Sequence, residues 1–192
     1  MKHPNIIKII CHDIGRHLGC YGVKSVNSNA IDSLAKNGIL FKNSFATSPG
    51  CSPSRAAIAT GMYPHNTGVL GLAHAHFGWS LDKKINHIAK YFSKNGYTSI
   101  LFGLQHVTYH EKTLGFNKIF PERSADQVLR NITRIFDNKI SKKPFYAEVN
   151  FFEPHRPFDY GGIKPDKSKG VYIPKYIPKN IYSRREFAEM QG

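Results

Sequence analysis

Two hydrophobic periods alternate along this chain of 192 residues. That alternation limits the fold more than any other feature. Short apolar runs of strand length recur at 5–11 (NIIKIIC), 97–103 (YTSILFG) and 145–152 (FYAEVNFF). They are rich in the β-branched and aromatic residues that suit a pleated, buried surface. A fourth strand is predicted at 39–45. Between these runs the period changes to that of helices. Asn29 can cap a helix over 30–37, with Asp32 in its first turn and Gly38 just past its end. Residues 52–60 suit a helix, because Pro53 falls in the first turn, where a missing N–H costs nothing. Asp82 is the expected cap of a helix over 83–95, with Ile85, Ile88, Ala89 and Phe92 on its apolar face. Ser124 and Gln127 have the spacing of a capping box opening a helix to about Ile140, with Val128, Leu129, Ile132, Ile135 and Phe136 inward.

Strands alternating with helices predict an α/β fold with a mostly parallel sheet flanked by helices. From 157 to about 182 the pattern stops among prolines and lysines, and 183–191 reads as the start of a helix with no strand after it. The expected organisation is therefore one catalytic-type domain over 1–160, then an irregular Pro/Lys-rich segment over 161–192. The domain reads as cut short.

Composition narrows the class. The hydrophobic fraction is 41%, with 13 Phe and 10 Tyr, enough to build a core, so disorder is excluded. Lys and Arg number 27 against 13 Asp and Glu, a net charge of +14, which favours anionic partners without choosing among them. Three cysteines, Cys11, Cys20 and Cys51, are too few and too odd in number for a disulfide framework. No apolar window spans a bilayer and no signal-peptide core follows Met1, so the expectation is a soluble, cytoplasmic chain with no membrane role. No nucleic-acid motif is present, so no nucleic-acid partner is expected.

Chemistry collects at the strand ends, where open α/β sheets bind ligands. His12 and Asp13 follow the first strand. Gln105 and His106 follow the run at 97–103. Glu153, His155 and Arg156 follow the last strand. Cys51 and Arg55 lie at a helix start, a natural anion site. These residues are expected to share one crevice. Each has a plainer reading: a surface histidine, an Asp13 turn, a solvated Arg55. Cys11 reads as a core thiol. Cys20 could join His12 and His17 around a soft metal, though loop packing is the plainer reading. His74 and His76 fall in a loop that could reach the crevice or simply lie at the surface.

The string Gly50-Cys51-Ser52-Pro53-Ser54-Arg55-Ala56 contains C-x-P-S-R and resembles the sulfatase signature. The rest of the pattern follows in order. Thr60-Gly61-Met62-Tyr63-Pro64-His65 resembles the family's TG-x-x-P-H element. Gly96-Tyr97-Thr98 with Gly103 and His106 resembles its GY…GK-x-H element, and Pro154-His155-Arg156-Pro157 its PH-x-P element. Cys51–Ala56, Gly71-Leu72 and 131–134 (NITR) are closest in flavour to the heparan N-sulfatase (sulfamidase) relatives.

The resemblance implies an alkaline-phosphatase-like α/β fold and a sulfuric ester or N-sulfate hydrolase acting on a sulfated sugar. It implies oxidation of Cys51 to formylglycine by a maturase. A hydrated aldehyde has two hydroxyls, so one can attack sulfur and the other can later expel sulfate. Arg55, His106 and His155 would be the catalytic partners. Asp13, His12 and Cys51 would be metal ligands for a divalent cation, calcium by family habit. His12 opens the way to a softer ion, because calcium prefers oxygen whereas imidazole suits zinc or iron.

The sequence departs from the family pattern at three points. His12-Asp13 stands where a pair of aspartates is usual. Leu104 stands where a lysine is usual, and an apolar side chain cannot meet sulfate charge. The remaining metal pair and a further lysine come from the second half of such enzymes, and 137–139 (DNK) lacks the glycine and the strand context to replace them. The chain therefore reads as the first third to half of a sulfatase, inactive alone unless a second chain or a C-terminal half completes it. Two alternatives stand beside this: a non-catalytic basic fragment that binds sulfated glycans or other polyanions, and a phosphoesterase of the same superfamily.

Overall fold

The structure, a computed structural model, describes residues 3–138, 143–158 and 164–192. The chain divides into two compact units interleaved in sequence, Met1–Ile10 with Phe45–Phe151, and Cys11–Ser44 with Phe152–Gly192.

The first unit is built on a four-stranded sheet of order β1 (Ile6–Cys11), β4 (Phe145–Phe151), β2 (Thr98–Gly103) and β3 (Lys118–Phe120). β2 pairs in parallel with both neighbours, Thr98 opposite Phe145 and Gly103 opposite Asn150 on one side, and Ile100 opposite Lys118 on the other. The helices of this unit are α2 (Cys51–Thr60), α3 (Pro64–Thr67), α4 (Ile88–Lys94) and α5 (Ala125–Asp137). Parallel pairing demands crossover connections, and α5 lies in the one from β3 to β4.

Strand alternation gives the sheet two different faces. One carries Ile100, Phe102, Ala147 and Val149, packed with Val128, Ile132, Ile135 and Phe136 of α5. Burying a side chain such as Phe102 or Ile100 is worth about 1.5–3 kcal/mol. The other face carries Tyr146, on whose ring Phe92 of α4 stacks at 4.7 Å. It also carries Glu148, a buried carboxylate. Lys8 Nζ lies 2.6 Å from it, and Tyr146 Oη and Asn150 Nδ2 donate to it at 2.8 and 3.2 Å. Burial pushes this carboxyl up. The Lys8 charge, His87 and the hydrogen bonds from Lys8 and Asn150 outweigh burial and hold it below the ordinary range.

The second unit holds α1 (Asn29–Asn37), α6 (Ile181–Met190) and the loops that join them. Asp32 accepts from the Cys20 N–H at 2.7 Å, and Ser28 Oγ accepts from the Gly19 N–H at 2.8 Å. α6 opens with a capping box in which Asn180 and Ser183 each accept the other's backbone N–H. Past its end, Gln191 Nε2 donates to the carbonyls of Asp166 and Gly170, and Ser25 Oγ donates to Gln191 Oε1. Among the described residues no helix is long and apolar enough to cross a membrane.

The strands at 5–11, 97–103 and 145–152 and the helix at 52–60 form within a residue or two of expectation. Other expectations need correction. Residues 39–45 form no strand, and Ile39, Phe41 and Phe45 are 82%, 68% and 88% exposed. β1 is half-buried on one face and exposed on the other at Ile7 and Ile9, and Cys11 at its end is half-buried rather than a core thiol. The expected long helix at 83–95 is halved. Asp82 Oδ1 accepts from the Lys84 N–H and closes a turn, and the helix starts six residues later. Ser28, not Asn29, occupies the cap position of α1, and Ser124 Oγ bonds the Gln127 side chain instead of closing a capping box. Leu129 is half exposed. The end of that helix expected near Ile140 lies outside the described residues, as does 159–163 of the irregular segment.

Candidate active site

The helix start at Cys51 is assembled within the first unit. Gly50 sits before α2 in extended conformation, and its carbonyl accepts the Ser54 N–H, the first bond of the helix. Pro53 falls in the first turn, where no intrahelical partner for its nitrogen exists. Cys51 is half-buried at the first helical position, while Ser52, Pro53 and Arg55 are buried. Ser52 Oγ accepts the Ala73 N–H at 3.0 Å, which fastens the loop after α3 to the helix start. Arg55 Nη1 donates to the carbonyl oxygen of Leu104 at 3.1 Å and ties α2 to the end of β2.

Beyond β2 the chain makes a braced turn. Gln105 is buried; its Oε1 accepts from the N–H groups of Val107 and Thr108 at 2.6 and 3.1 Å, and its Nε2 donates to Thr108 O at 2.5 Å. Gln105 is therefore spent on the loop and is not a site residue. The brace holds His106 at φ 61°, in the left-handed region. Leu104 is half-buried, and its carbonyl, not its side chain, is what Arg55 uses.

The second unit gathers its own set. The His12 N–H donates to Glu153 O at 3.1 Å, so the segments following β1 and β4 run together. His12 is 2% exposed, and its Nδ1 lies 3.0 Å from Asp13 Oδ1. Asp13 Oδ2 lies 3.8 Å from His155 Nε2. The two imidazoles meet edge to face at 4.6 Å, and Phe152 packs against both. His155 Nδ1 bonds Arg156 O, and Arg156 pairs with Glu186 of α6. Asp13 has φ 55°. Among the described residues Asp13 and His106 are the two non-glycine positions with positive φ, a conformation that costs about 1–3 kcal/mol and concentrates at functional sites.

The donors around Asp13 suit a divalent cation in kind. The Asp13 carboxylate stands beside the His12 imidazole, a pair that fits an ion tolerant of nitrogen, with His155 on the other carboxylate oxygen. Of calcium's preferred roughly six to eight oxygen ligands, this pair offers only those of Asp13. The soft-metal grouping of His12, His17 and Cys20 does not form among the described residues. His17 is instead flanked by the rings of Tyr172 and Phe187, and burial pushes its pKa down. Sequence reasoning missed two contributions. The buried Ser52 hydroxyl carries no signal beyond its place in the motif. His74, whose ring stacks on His106, was visible only as one of two histidines in a loop.

A sequence model of the Sulfatase family matches residues 4–178. N-sulphoglucosamine sulphohydrolase of Homo sapiens is 31% identical over 160 residues, covering 79% of this chain and 32% of that protein. The chain thus spans about a third of that relative's length. The crystal structure of Ps i-CgsB in complex with k-i-k-neocarrahexaose matches with a TM-score of 0.72 at 22% identity, covering 98% of this chain and 52% of that one. The structure of BT4656 in complex with its substrate D-glucosamine-2-N,6-O-disulfate matches at 0.69 and 21%, covering 85% of this chain and 36% of that one. These two likenesses show the sulfatase α/β fold, and the family match runs through the C-x-P-S-R helix start. The chain belongs to the sulfatase family.

Proposed function

We propose that this chain carries the nucleophile end of a sulfatase that removes sulfate from a sugar, with the N-sulfated glucosamine of a heparin-like chain end as the favoured substrate class. The observation that carries the reading is the fixed helix start: Cys51 at the first position of α2, with Arg55 tied to the end of β2. The substrate class is supported by the named substrates of the human relative and of BT4656. Conversion of Cys51 to formylglycine would supply a hydrated aldehyde as attacking group, and a divalent cation would polarise the sulfate oxygens.

The chain's own residues do the rest. Arg55 brings a guanidinium to the Cys51 end of α2, offsets anionic charge and steadies the modified side chain. His106, fixed by the Gln105 brace, donates to sulfate or to the leaving oxygen. Asp13 with His12 would hold the cation, and His155, oriented by its bond to Arg156 O, would serve as a proton carrier. Calcium is the expected ion, and His12, next to the carboxylate, also admits zinc or iron.

The test begins with maturation. Coexpression with a formylglycine-forming maturase should convert Cys51 to an aldehyde that reacts with hydrazide probes. Pro53→Ala or Arg55→Ala should abolish that conversion. Peptide mass spectra showing only thiol, with the maturase active on a control peptide, would overturn the reading. Salt-dependent binding of sulfated glycans without conversion would favour the basic-fragment alternative, which the net charge of +14 supports.

A further inference from the structure

The first unit holds a second imidazole beside His106. The rings of His74 and His106 lie face to face, 4.4 Å between centroids and 11° between planes. His106 is half-buried and His74 is exposed, so His74 covers one face of a ring that would otherwise be open. The backbone holds both rings in register. Ala73, 3% exposed, donates its N–H to Ser52 Oγ, next to Cys51. Bonds from Ala75 N–H to Leu72 O and from Gly78 N–H to Ala75 O tighten the loop that carries His74. On the other side, the Gln105 brace fixes the turn that carries His106. Leu104, just past the end of β2, has no side-chain donor, and its carbonyl is engaged by Arg55.

We propose that His74 and His106 form a paired-imidazole clamp for the sulfate group, with His74 a binding residue in its own right. The proposal rests on the reading of the Cys51–Arg55 end as a sulfate site. A neutral imidazole already carries one N–H donor, so the pair donates twice to one tetrahedral anion without either ring being charged. His74 thereby supplies the recognition that the Leu104 side chain cannot.

The experiment uses the unmodified 192-residue chain and inorganic sulfate, so it does not depend on maturation or turnover. Histidine ring carbon–proton signals are followed by NMR during a sodium sulfate titration, with sodium chloride at matched ionic strength as control. The His74 and His106 signals should move together and saturably with sulfate, and not with chloride. His74→Ala removes ring and donor; His74→Phe keeps a stacking ring and removes the donor. Both should weaken sulfate about tenfold, the cost of losing one hydrogen bond to a charged group. His74 is exposed, so the unfolding midpoints of both variants should match the parent and show that the fold is intact. Full sulfate affinity in His74→Phe would reduce His74 to a stacking role and overturn the proposal. So would saturable binding without movement of the His74 signals, or no saturable binding in the parent. A chain that binds sulfate in this way yet never converts Cys51 would fail the hydrolase reading and leave the clamp standing. A chain that converts Cys51 but whose sulfate affinity is indifferent to His74 would do the reverse.

Discussion

Gly103 ends β2 with φ 81°, and a Cβ there would lie 1.9 Å from the carbonyl oxygen of Asn150 in β4. Only a residue without a side chain lets the two strands stay paired while the chain turns into Leu104–His106. Gly103→Ala should therefore destabilise the protein by about 2 kcal/mol or more, read as a lower urea midpoint. The His106 ring signals should shift with it, since the turn that presents His106 starts there. A variant with the parent's midpoint would show that β4 yields easily. A strand end at Gly103 is visible in the sequence because the apolar run stops there. The clash is not visible, because it depends on a neighbour 47 positions away in the chain. The same holds for the candidate residues of each unit. The types and order of His12, Asp13, Cys51, Arg55, His106 and His155 could be read from the motifs. The left-handed backbone at Asp13 and His106, the bond from Arg55 to Leu104 O and the stacking of His74 needed the folded chain.

Elements were legible where one signal dominated and obscure where two competed. The runs that became β1, β2 and β4 are short, apolar and bounded by turn residues, so no helical reading competes. β3 has three residues and α3 four, too few to show a period. At α4 two caps compete. Asp82 closes a local turn, and His87, five residues on, becomes the N-cap, its Nδ1 accepting the Ala89 N–H at 3.1 Å. That choice has a consequence for acid stability. His87 is 2% exposed, and its pKa is lowered from 6.5 to about 4. Burial is the largest cause; Glu148 opposes it and Lys8 adds to it. The folded chain thus keeps the ring neutral where the unfolded chain protonates it. Stability contributed by His87 is complete above pH 6.5 and is lost as pH falls towards about 4. The loss is about 3 kcal/mol in all. Protonation also removes the lone pair that caps α4. His87→Asn keeps an acceptor at the cap and cannot titrate, so its urea midpoint should be lower than the parent's at neutral pH and fall less on acidification. Equal pH slopes in parent and variant would remove His87 from the account.

For the molecule as a whole, charge and exposed apolar surface act in opposite directions. Scattered exposed apolar residues are ordinary in folded proteins. Ile39, Phe41 and Phe45 are not scattered: they fall within seven residues of one another and are 82%, 68% and 88% exposed. Each offers apolar surface through which copies can associate. Residues 39–45 are also the segment whose composition predicts a strand, and a β-prone stretch without a partner strand can find one in another copy. Against this stands the net charge of +14, which keeps copies apart as long as it is unscreened. At about 0.1 M salt the field extends only about 10 Å, so repulsion fades while apolar contact remains. The isolated chain should therefore be monomeric at low salt and self-associate as salt rises, read by sedimentation velocity across a chloride series. Because these side chains are exposed, Phe41→Ser with Phe45→Ser should leave the unfolding midpoint near the parent's and suppress the salt-driven association. Association that persists undiminished in the double variant would place the contact elsewhere. Association that weakens with salt in the parent would mean that opposite charges, not apolar side chains, bring the copies together.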